Sequence, residues 1–164
     1  LAMTLSVRPL VIDDLLGVLR IERESFSAPW SLAMLIHQIA VEGVIALALE
    51  DEGAIIGYAF CSPHADDWHL VSIAVDPSRR RSGGARLMLL EILNRLGDES
   101  RITLEVRPSN VAAIGLYEQH GFLFAGARPA YYPDSGEDGL IMWRTPATLS
   151  GRLDDVPNAE PQRK

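Results

Sequence analysis

The stretch of this chain that decides its fold is LEVRPSNVAAIGLYEQHGF, residues 104–122. Apolar and polar residues alternate at its start, which predicts a short strand with Glu105 on the face opposite to its apolar neighbours. A turn follows, and Asn110 begins a helix that carries Tyr117 and ends at Gly121. A carboxyl group and a phenol are thereby placed on two successive elements, an arrangement that suits proton transfer at a small site.

The rest of the sequence predicts further elements, in the order β-α-α-β-β-β-α-β-α-β-β. Short apolar runs predict strands at 7–10, 44–49, 55–61, 68–75, 102–106, 122–126 and 139–143. Helical periodicity and capping residues predict helices at 13–24, from 31 onward, at 86–96 and at 111–120. A hairpin turn is expected at 51–53 and a long loop at 128–138. This order predicts an α+β fold, a mixed central sheet with helices packed on it.

The domain organisation follows from the absence of internal repeats and of linker-like segments. The pattern predicts one domain over residues 5–145. From Pro146 onward the chain is rich in polar residues and proline and holds few large apolar ones, so residues 146–164 are expected to form a disordered tail.

Composition restricts the classes of function. The 164 residues are 48% hydrophobic and carry a net charge of −7, which disfavours nonspecific nucleic-acid binding and fits a cationic substrate, although solubility alone explains it equally simply. No signal peptide and no apolar run long enough for a membrane helix are visible. Cys61 is the only cysteine, so it is expected to be a small buried hydrophobe, and a cytoplasmic location is favoured.

A basic, glycine-containing loop at 79–85 joins a predicted strand to a predicted helix. Gly83 and Gly84 allow the backbone to approach a ligand closely, and the following helix directs its unpaired N–H groups toward the loop. These features favour a pyrophosphate site, to which Arg80, Arg81 and Arg86 add positive charge. A solvated turn is the alternative. The spacing matches neither a Walker A loop nor a dinucleotide-binding fingerprint, so another phosphate ligand is implied.

The pattern Arg80-x-x-Gly83-x-Ala85 resembles the acetyl-CoA loop of the GNAT superfamily of N-acetyltransferases. More narrowly, the chain resembles the RimI group of ribosomal-protein-alanine N-acetyltransferases over residues 5–144. The matching segments are 24–31, 73–77, 104–122, 131–133 and 137–138. Three loop positions depart from the commonest residues of that group, namely Ser82, Gly84 and Ala85. The first two make the loop more flexible and could weaken cofactor binding somewhat.

The resemblance implies a GNAT fold and acetyl transfer from acetyl-CoA to an amine, without a metal. It implies that the strand ending at Val75 contacts the pantetheine through Ile73, Ala74 and Val75, and that Asn110 is a further cofactor contact. It also implies that the pyrophosphate is held by the loop and the helix start, at Arg81, Ser82, Gly83, Gly84, Ala85 and Arg86.

The resemblance assigns proton transfer to two residues. Glu105 would be the general base that takes a proton from the amine, and Tyr117 the general acid that protonates the CoA thiolate. Tyr117 lies seven residues after Asn110, which places both on one helix face. The alternatives from the residues alone are a salt bridge from Glu105 to an arginine, and a core position for Tyr117.

The acceptor groove would be lined by Trp30, Arg128, Tyr131 and Tyr132, with packing of the core and of the loop as the alternative. The acceptor implied is a protein N-terminus, that of ribosomal protein S18. A small amine or a lysine side chain is the rival substrate. A binding module that senses acyl-CoA without catalysis is the non-enzymatic rival, which would require neither Glu105 nor Tyr117.

Overall fold

The computed structural model describes residues 4–157. Its strands are β1 (Leu5–Pro9), β2 (Ile45–Asp51), β3 (Ala54–His64), β4 (Asp67–Val75), β5 (Ile102–Val106), β6 (Leu123–Arg128) and β7 (Gly139–Arg144). Its α-helices are α1 (Leu15–Ser25), α2 (Leu32–Ile39), α3 (Gly84–Leu96) and α4 (Val111–Gln119).

The strands form one mixed sheet in the order β1-β2-β3-β4-β5-β7-β6. Neighbouring strands are antiparallel from β1 to β3 and from β5 to β6, whereas β4 and β5 are parallel. The predicted α+β class and the predicted order of elements are therefore confirmed. The observed bounds differ from the predicted ones at several elements; β1 begins at Leu5 rather than at Val7, β3 ends at His64 rather than at Cys61, and α3 begins at Gly84 rather than at Arg86.

Two compact units make up the described chain, where the sequence indicated one domain. Residues 4–63 and 70–95 form the first unit, and residues 64–69 and 96–157 form the second. No repeat or linker marks this division, because the boundaries fall at the end of β3, inside β4 and at the end of α3.

The core of the first unit lies between helices and strands. Four residues on one face of α1 pack with Leu35 of α2, with Tyr58 and Phe60 of β3 and with Ala74 of β4; the α1 residues are Leu15, Val18, Leu19 and Ile21. This is the amphipathic face that the helical periodicity predicts. Ser31 caps α2 by accepting a hydrogen bond from the Met34 amide at 3.2 Å.

The predicted hairpin turn is present between β2 and β3. Glu52 and Gly53 both have positive φ, of 52° and 82°, as a tight two-residue hairpin connection requires. Cys61, farther along β3, is fully buried, in agreement with its expected role as a small hydrophobe.

In the second unit, β5 and β6 both pair with β7, and α4 connects β5 to β6. The end of α4 is fixed by Arg144 of β7, whose Nε donates to the His120 carbonyl at 2.8 Å. Gly121 follows with φ 90°, a conformation that terminates the helix without a steric penalty.

The expected disordered tail is ordered as far as the description extends. Residues 148–150 form a short 3-10 turn, and Ala147 and Thr148 are buried. The Asp155 carboxylate accepts from the Thr145 hydroxyl at 2.5 Å and from the Ala147 amide at 3.1 Å, which fixes this segment to the end of β7. The polar composition indicated disorder, whereas polar groups themselves make the contacts that order this segment. Residues 158–164 lie outside the described part.

None of the helices formed by residues 4–157 is both long enough and apolar enough to cross a bilayer.

Candidate active site

Glu105 is the centre of a small group of charged side chains in the second unit. It lies on β5 between the buried residues Leu104 and Val106 and faces away from both, as the alternation predicts. Its side chain is only 11% exposed. One carboxylate oxygen, Oε2, lies 2.6 Å from Nε2 of His69, and the other, Oε1, lies 3.4 Å from Nε of Arg128. The contact with Arg128 is the salt bridge to an arginine that the alternative interpretation of Glu105 predicts.

His69 was missed in the sequence, because it shows neither metal-ligand spacing nor proximity to Glu105 along the chain. It is brought there by the parallel pairing of β4 with β5, in which Trp68 is opposite Ile102 and His69 is opposite Thr103. Glu105 is two residues beyond Thr103 and so lies on the same face of β5. The available signal was a polar histidine within a strand-like run next to the strand of Glu105.

The charge on Glu105 results from opposing effects. Burial alone raises its pKa, but the hydrogen bond with His69, the charge of that side chain and the guanidinium of Arg128 together lower the pKa below its ordinary value of 4.5. Glu105 is therefore ionised at neutral pH and can accept a proton.

Tyr117 lies on α4 and is almost entirely buried, with 5% of its surface exposed. Its ring packs against Phe122 with centroids 5.5 Å apart and planes tilted by 57°. Burial raises the pKa of its hydroxyl, and Tyr132 adds to this effect. The ring is thus part of the core, as the alternative interpretation holds, while the hydroxyl stays protonated and so retains the proton that a general acid needs.

Asn110 has a structural role that the sequence only partly indicated. Its Oδ1 caps α4 by accepting from the Ala113 amide at 3.3 Å. This bond accounts for an asparagine here without any ligand, so the predicted contact with the cofactor remains a prediction.

The loop between β6 and β7, residues 129–138, carries two of the predicted acceptor-binding residues. The rings of Tyr131 and Tyr132 meet edge to face, with centroids 4.9 Å apart. The Arg107 guanidinium lies over the Tyr132 ring, 4.0 Å from its centroid. Burial raises the pKa of Tyr132 to about 12. Tyr131 is 43% exposed, so one of the two rings is open to solvent.

Arg128, at the end of β6, completes this group. Its Nε is buried and has no hydrogen-bond partner among the described residues, although it faces Glu105 at ion-pair distance. A buried donor of this kind is costly unless another group satisfies it. The structure thus brings Glu105, Arg128 and Tyr131 together with His69.

The predicted phosphate loop lies in the first unit. Arg81 and Gly83 both have positive φ, of 65° and 82°, and between them the Ser82 Oγ is buried without a hydrogen-bond partner among the described residues. The helix α3 begins immediately afterwards, so its unpaired amides face the loop. An unsatisfied hydroxyl and a helix start fit an anionic ligand such as a pyrophosphate.

Two of the predicted loop residues are helical. Gly84 and Ala85 belong to the first turn of α3, and Gly84 is buried. A Cβ atom at Gly84 would lie 2.4 Å from a methyl carbon of Leu49. Packing therefore explains this glycine, whose predicted role was to let the backbone approach a ligand. Arg86 lies exposed in the same turn.

Other predicted residues of the first unit lie on β4 and before α2. Ala74 is buried in the core, whereas Ile73 and Val75 are half-buried at the end of β4. Trp30 is half-buried, and its ring stacks on Phe60 with centroids 6.3 Å apart. This stacking is the packing alternative for Trp30, and its contact with an acceptor remains a prediction.

Within residues 4–157, the side chains of His, Cys, Asp and Glu form no group of three or more that could hold a metal ion.

Comparison with known proteins agrees with this geometry. The acetyltransferase (GNAT) family profile matches residues 15–122. A Bacillus subtilis protein named putative ribosomal protein bS18-alanine N-acetyltransferase is 38% identical over 144 residues, which are 85% of this chain and 95% of that protein. The Escherichia coli protein named ribosomal protein bS18-alanine N-acetyltransferase is 35% identical over 141 residues, 84% of this chain and 95% of that protein.

Solved structures show the same relationship. The crystal structure of the ribosomal-protein-S18-alanine N-acetyltransferase from Escherichia coli superposes with a TM-score of 0.77 at 32% identity, covering 85% of this chain and 92% of that one. The match to the family extends over both units of the described chain. This chain therefore belongs to the GNAT family of acetyltransferases.

Proposed function

We propose that this chain transfers the acetyl group of acetyl-CoA to the α-amino group of a protein N-terminus, and that its acceptor is the N-terminal alanine of ribosomal protein S18. The observation that carries the proposal is the buried Glu105 carboxylate, ionised and held by His69 and Arg128. The acceptor is supported by relatives of 35% and 38% identity whose names specify it. Such an acceptor is met in the cytoplasm.

Glu105 is the general base of this proposal. An α-amino group has a pKa of about 7.7–8.0 and is mostly protonated at neutral pH, yet only the neutral amine attacks a thioester. The ionised Glu105 accepts the amine proton, either directly or through a water molecule. His69 acts through Glu105, because its hydrogen bond keeps the carboxylate charged and fixes its orientation.

Tyr117 is the general acid. The thiolate of CoA leaves when the C–S bond breaks, and a proton donor nearby makes it a better leaving group. Burial of the Tyr117 hydroxyl keeps it protonated up to high pH, so it holds a proton to donate throughout the physiological range. Tyr132 is not assigned a role in proton transfer, because it lies in the loop 129–138 and interacts with Arg107.

Acetyl-CoA supplies the activated acetyl group. The residues proposed to hold its pyrophosphate are the helix start at Gly84 and the loop before it, where the unpaired Ser82 hydroxyl and the amides of α3 are available. The pantetheine is assigned to the main chain of β4 near Val75. A hydroxyl without a partner and a helix start support the assignment of this loop.

The acceptor peptide is assigned to the aromatic residues of the second unit. Tyr131 offers a ring that is 43% exposed. Partial burial and the negative charge of Glu105 both raise the pKa of its hydroxyl. Arg128, whose Nε forms an ion pair with Glu105, is assigned to the same acceptor site. The primary amine of the peptide is thus provided with a proton acceptor, Glu105.

The test is an acetylation assay with purified protein, acetyl-CoA and a peptide that carries the S18 N-terminus. The expected result is one acetyl group on the terminal amine, located by mass spectrometry, together with release of CoA. The control is the same peptide with a blocked N-terminus and a free lysine, which should stay unmodified. Acetylation of a polyamine, or of the lysine only, would replace the acceptor. Bound acetyl-CoA with no CoA release across amines and peptides would favour a sensor.

A further inference from the structure

Arg107 contacts several side chains of the second unit, and the proposed mechanism does not use it. It lies directly after β5, two residues beyond Glu105. Its Nη1 and Nη2 atoms each lie 2.9 Å from a carboxylate oxygen of Asp134, a bidentate ion pair. Nη1 also donates to the Ser135 hydroxyl at 2.9 Å and lies 3.6 Å from Glu137.

The guanidinium thereby gathers the polar side chains of the loop 129–138 around one point. Glu137 is tied in further, because its Oε1 accepts from the Ser109 amide at 3.1 Å and its Oε2 accepts from the Ser135 hydroxyl at 3.1 Å. Within the loop, Tyr132 donates its amide proton to the Glu137 carbonyl, and Gly136 donates to the Tyr132 carbonyl. The loop is thus closed on itself and fixed to the strand of Glu105.

Tyr132 links this fixed region to the exposed aromatic ring. The Arg107 guanidinium covers its ring at 4.0 Å, and the Tyr131 ring meets it edge to face. Tyr131 in turn packs against Gly139, where a Cβ atom would lie 2.8 Å from a ring carbon. The orientation of the exposed Tyr131 ring therefore depends, through Tyr132, on the position of Arg107.

The acidic side chains of the loop 129–138 depend on the positive charge of Arg107. Asp134 and Glu137 are two like charges that converge on the same guanidinium, and without it they repel each other. A lysine would restore the charge but not the planar, two-pronged contact with Asp134 and the stacking on Tyr132. Burial of apolar side chains does not replace this contact, since most residues of the loop 129–138 are exposed.

We propose that Arg107 is a positioning residue that holds the loop 129–138 in the conformation that receives the acceptor peptide. It touches no reacting atom and acts through Tyr132 and Tyr131. The proposal deepens the proposed function and rests on it for the identity of the acceptor. Under this proposal Arg107 contributes to the affinity for the acceptor, whereas other residues determine the affinity for acetyl-CoA and the rate of the chemical step.

The experiment compares the full chain with Arg107→Lys and Arg107→Ala, and uses Arg152→Ala as the matched control because Arg152 forms an exposed ion pair in the same unit. The S18 peptide is expected to show a KM raised about tenfold in Arg107→Lys and more in Arg107→Ala, with kcat and acetyl-CoA affinity within about twofold. Thermal unfolding of each variant verifies that the unit is folded.

Hydrogen exchange of the ligand-free protein tests the loop without relying on activity. The amides of residues 130–137 should exchange faster in both Arg107 variants and at the wild-type rate in Arg152→Ala. The pair Arg107→Asp with Asp134→Arg should restore part of the protection.

The possible results distinguish an error in the role of Arg107 from an error in the proposed acceptor. Unchanged exchange together with an unchanged KM overturns the role of Arg107, and so does a fall in kcat at unchanged KM. If the wild type fails to acetylate the peptide, the proposed acceptor is wrong. The exchange measurement still decides whether Arg107 holds the loop, and wild-type protection in both variants would overturn the proposal.

Discussion

The Nε2 atom of His69 lies 2.6 Å from the Oε2 atom of Glu105. An ionised carboxylate has only acceptor sites, so the contact requires a proton on Nε2 of the imidazole. The general base of the proposed reaction is thereby held by a donor that comes from the neighbouring parallel strand. The pair fixes both the charge and the direction of the carboxylate, and it makes activity depend on a residue that was not recognised in the sequence.

Replacement of Glu105 by glutamine removes the proton acceptor but keeps the shape and one hydrogen-bond acceptor. We expect kcat with the S18 peptide to fall about 10²–10⁴-fold, which is the usual contribution of a general base. Acetyl-CoA affinity, measured by calorimetry, should stay within about twofold because Glu105 is assigned to the amine. Glu99→Gln, an exposed carboxylate, is the control. A wild-type rate in Glu105→Gln would remove Glu105 from the mechanism.

Replacement of His69 by leucine should shift the pH profile of activity. His69 and Arg128 lower the pKa of Glu105, whereas burial raises it. Loss of His69 therefore raises this pKa. The base acts only when ionised, so the acid limb of kcat/KM moves to higher pH. A second limb, caused by ionisation of the substrate amine at about pH 8, is expected in both proteins.

The profile should be measured with the S18 peptide at subsaturating concentration. His69→Gln keeps a donor but not the charge, so its shift should be smaller than that of His69→Leu. An acid limb that stays in place, or moves to lower pH, in His69→Leu would show that His69 does not stabilise the ionised base.

Replacement of Tyr117 by phenylalanine removes the hydroxyl and retains the ring that packs on Phe122. We expect kcat to fall by at least about 10²-fold if the hydroxyl protonates the thiolate. Melting temperature and acetyl-CoA affinity should change little, because the packing surface remains. The discriminating measurement uses thioesters with leaving groups of lower pKa, which need less protonation and should partly rescue Tyr117→Phe. Equal defects for all leaving groups would point to a purely structural role.

Replacement of Thr148 by valine tests the ordered segment that follows β7. The Thr148 Oγ1 accepts from the Thr145 amide and donates to the Gly121 carbonyl, both at 2.7 Å, and the side chain is 3% exposed. Valine has nearly the same shape but leaves the buried Thr145 amide and the half-buried Gly121 carbonyl without this partner. The free energy of unfolding should fall by about 1–3 kcal/mol, measured by urea denaturation. Ser150→Ala, at an exposed position, should leave it unchanged; equal stability of both variants would indicate that the segment contributes nothing.

Some elements could be predicted because their signals are local. The strand of Glu105 and the helix of Tyr117 lie within residues 104–122, and the alternation of β5 specified the face of Glu105 before any partner was known. The hairpin turn at Glu52 and Gly53 was equally local, since glycine tolerates the positive φ that such a turn requires. The resemblance to the family was confirmed because it rests on ordered short motifs.

Other features depended on partners that are distant in the chain. Gly84 was assigned to close approach by a ligand, and the structure shows that it also accommodates Leu49 of β2, a contact that no local pattern reveals. The tail after Pro146 was expected to be disordered because its composition is polar. Its order depends on pairings with Thr145 and with the end of α4 that no composition reveals.

The sequence by itself determined the family and the fold class, and it predicted which carboxyl group and which phenol form the proposed site. These rest on periodicity and on short motifs, in which every interacting residue is near in the chain. Only the tertiary structure decided the surroundings of Glu105, because the register of two parallel strands brings His69 to it, and the return of β6 brings Arg128. The ionised state of the proposed base follows from those two long-range contacts, which outweigh the effect of its burial.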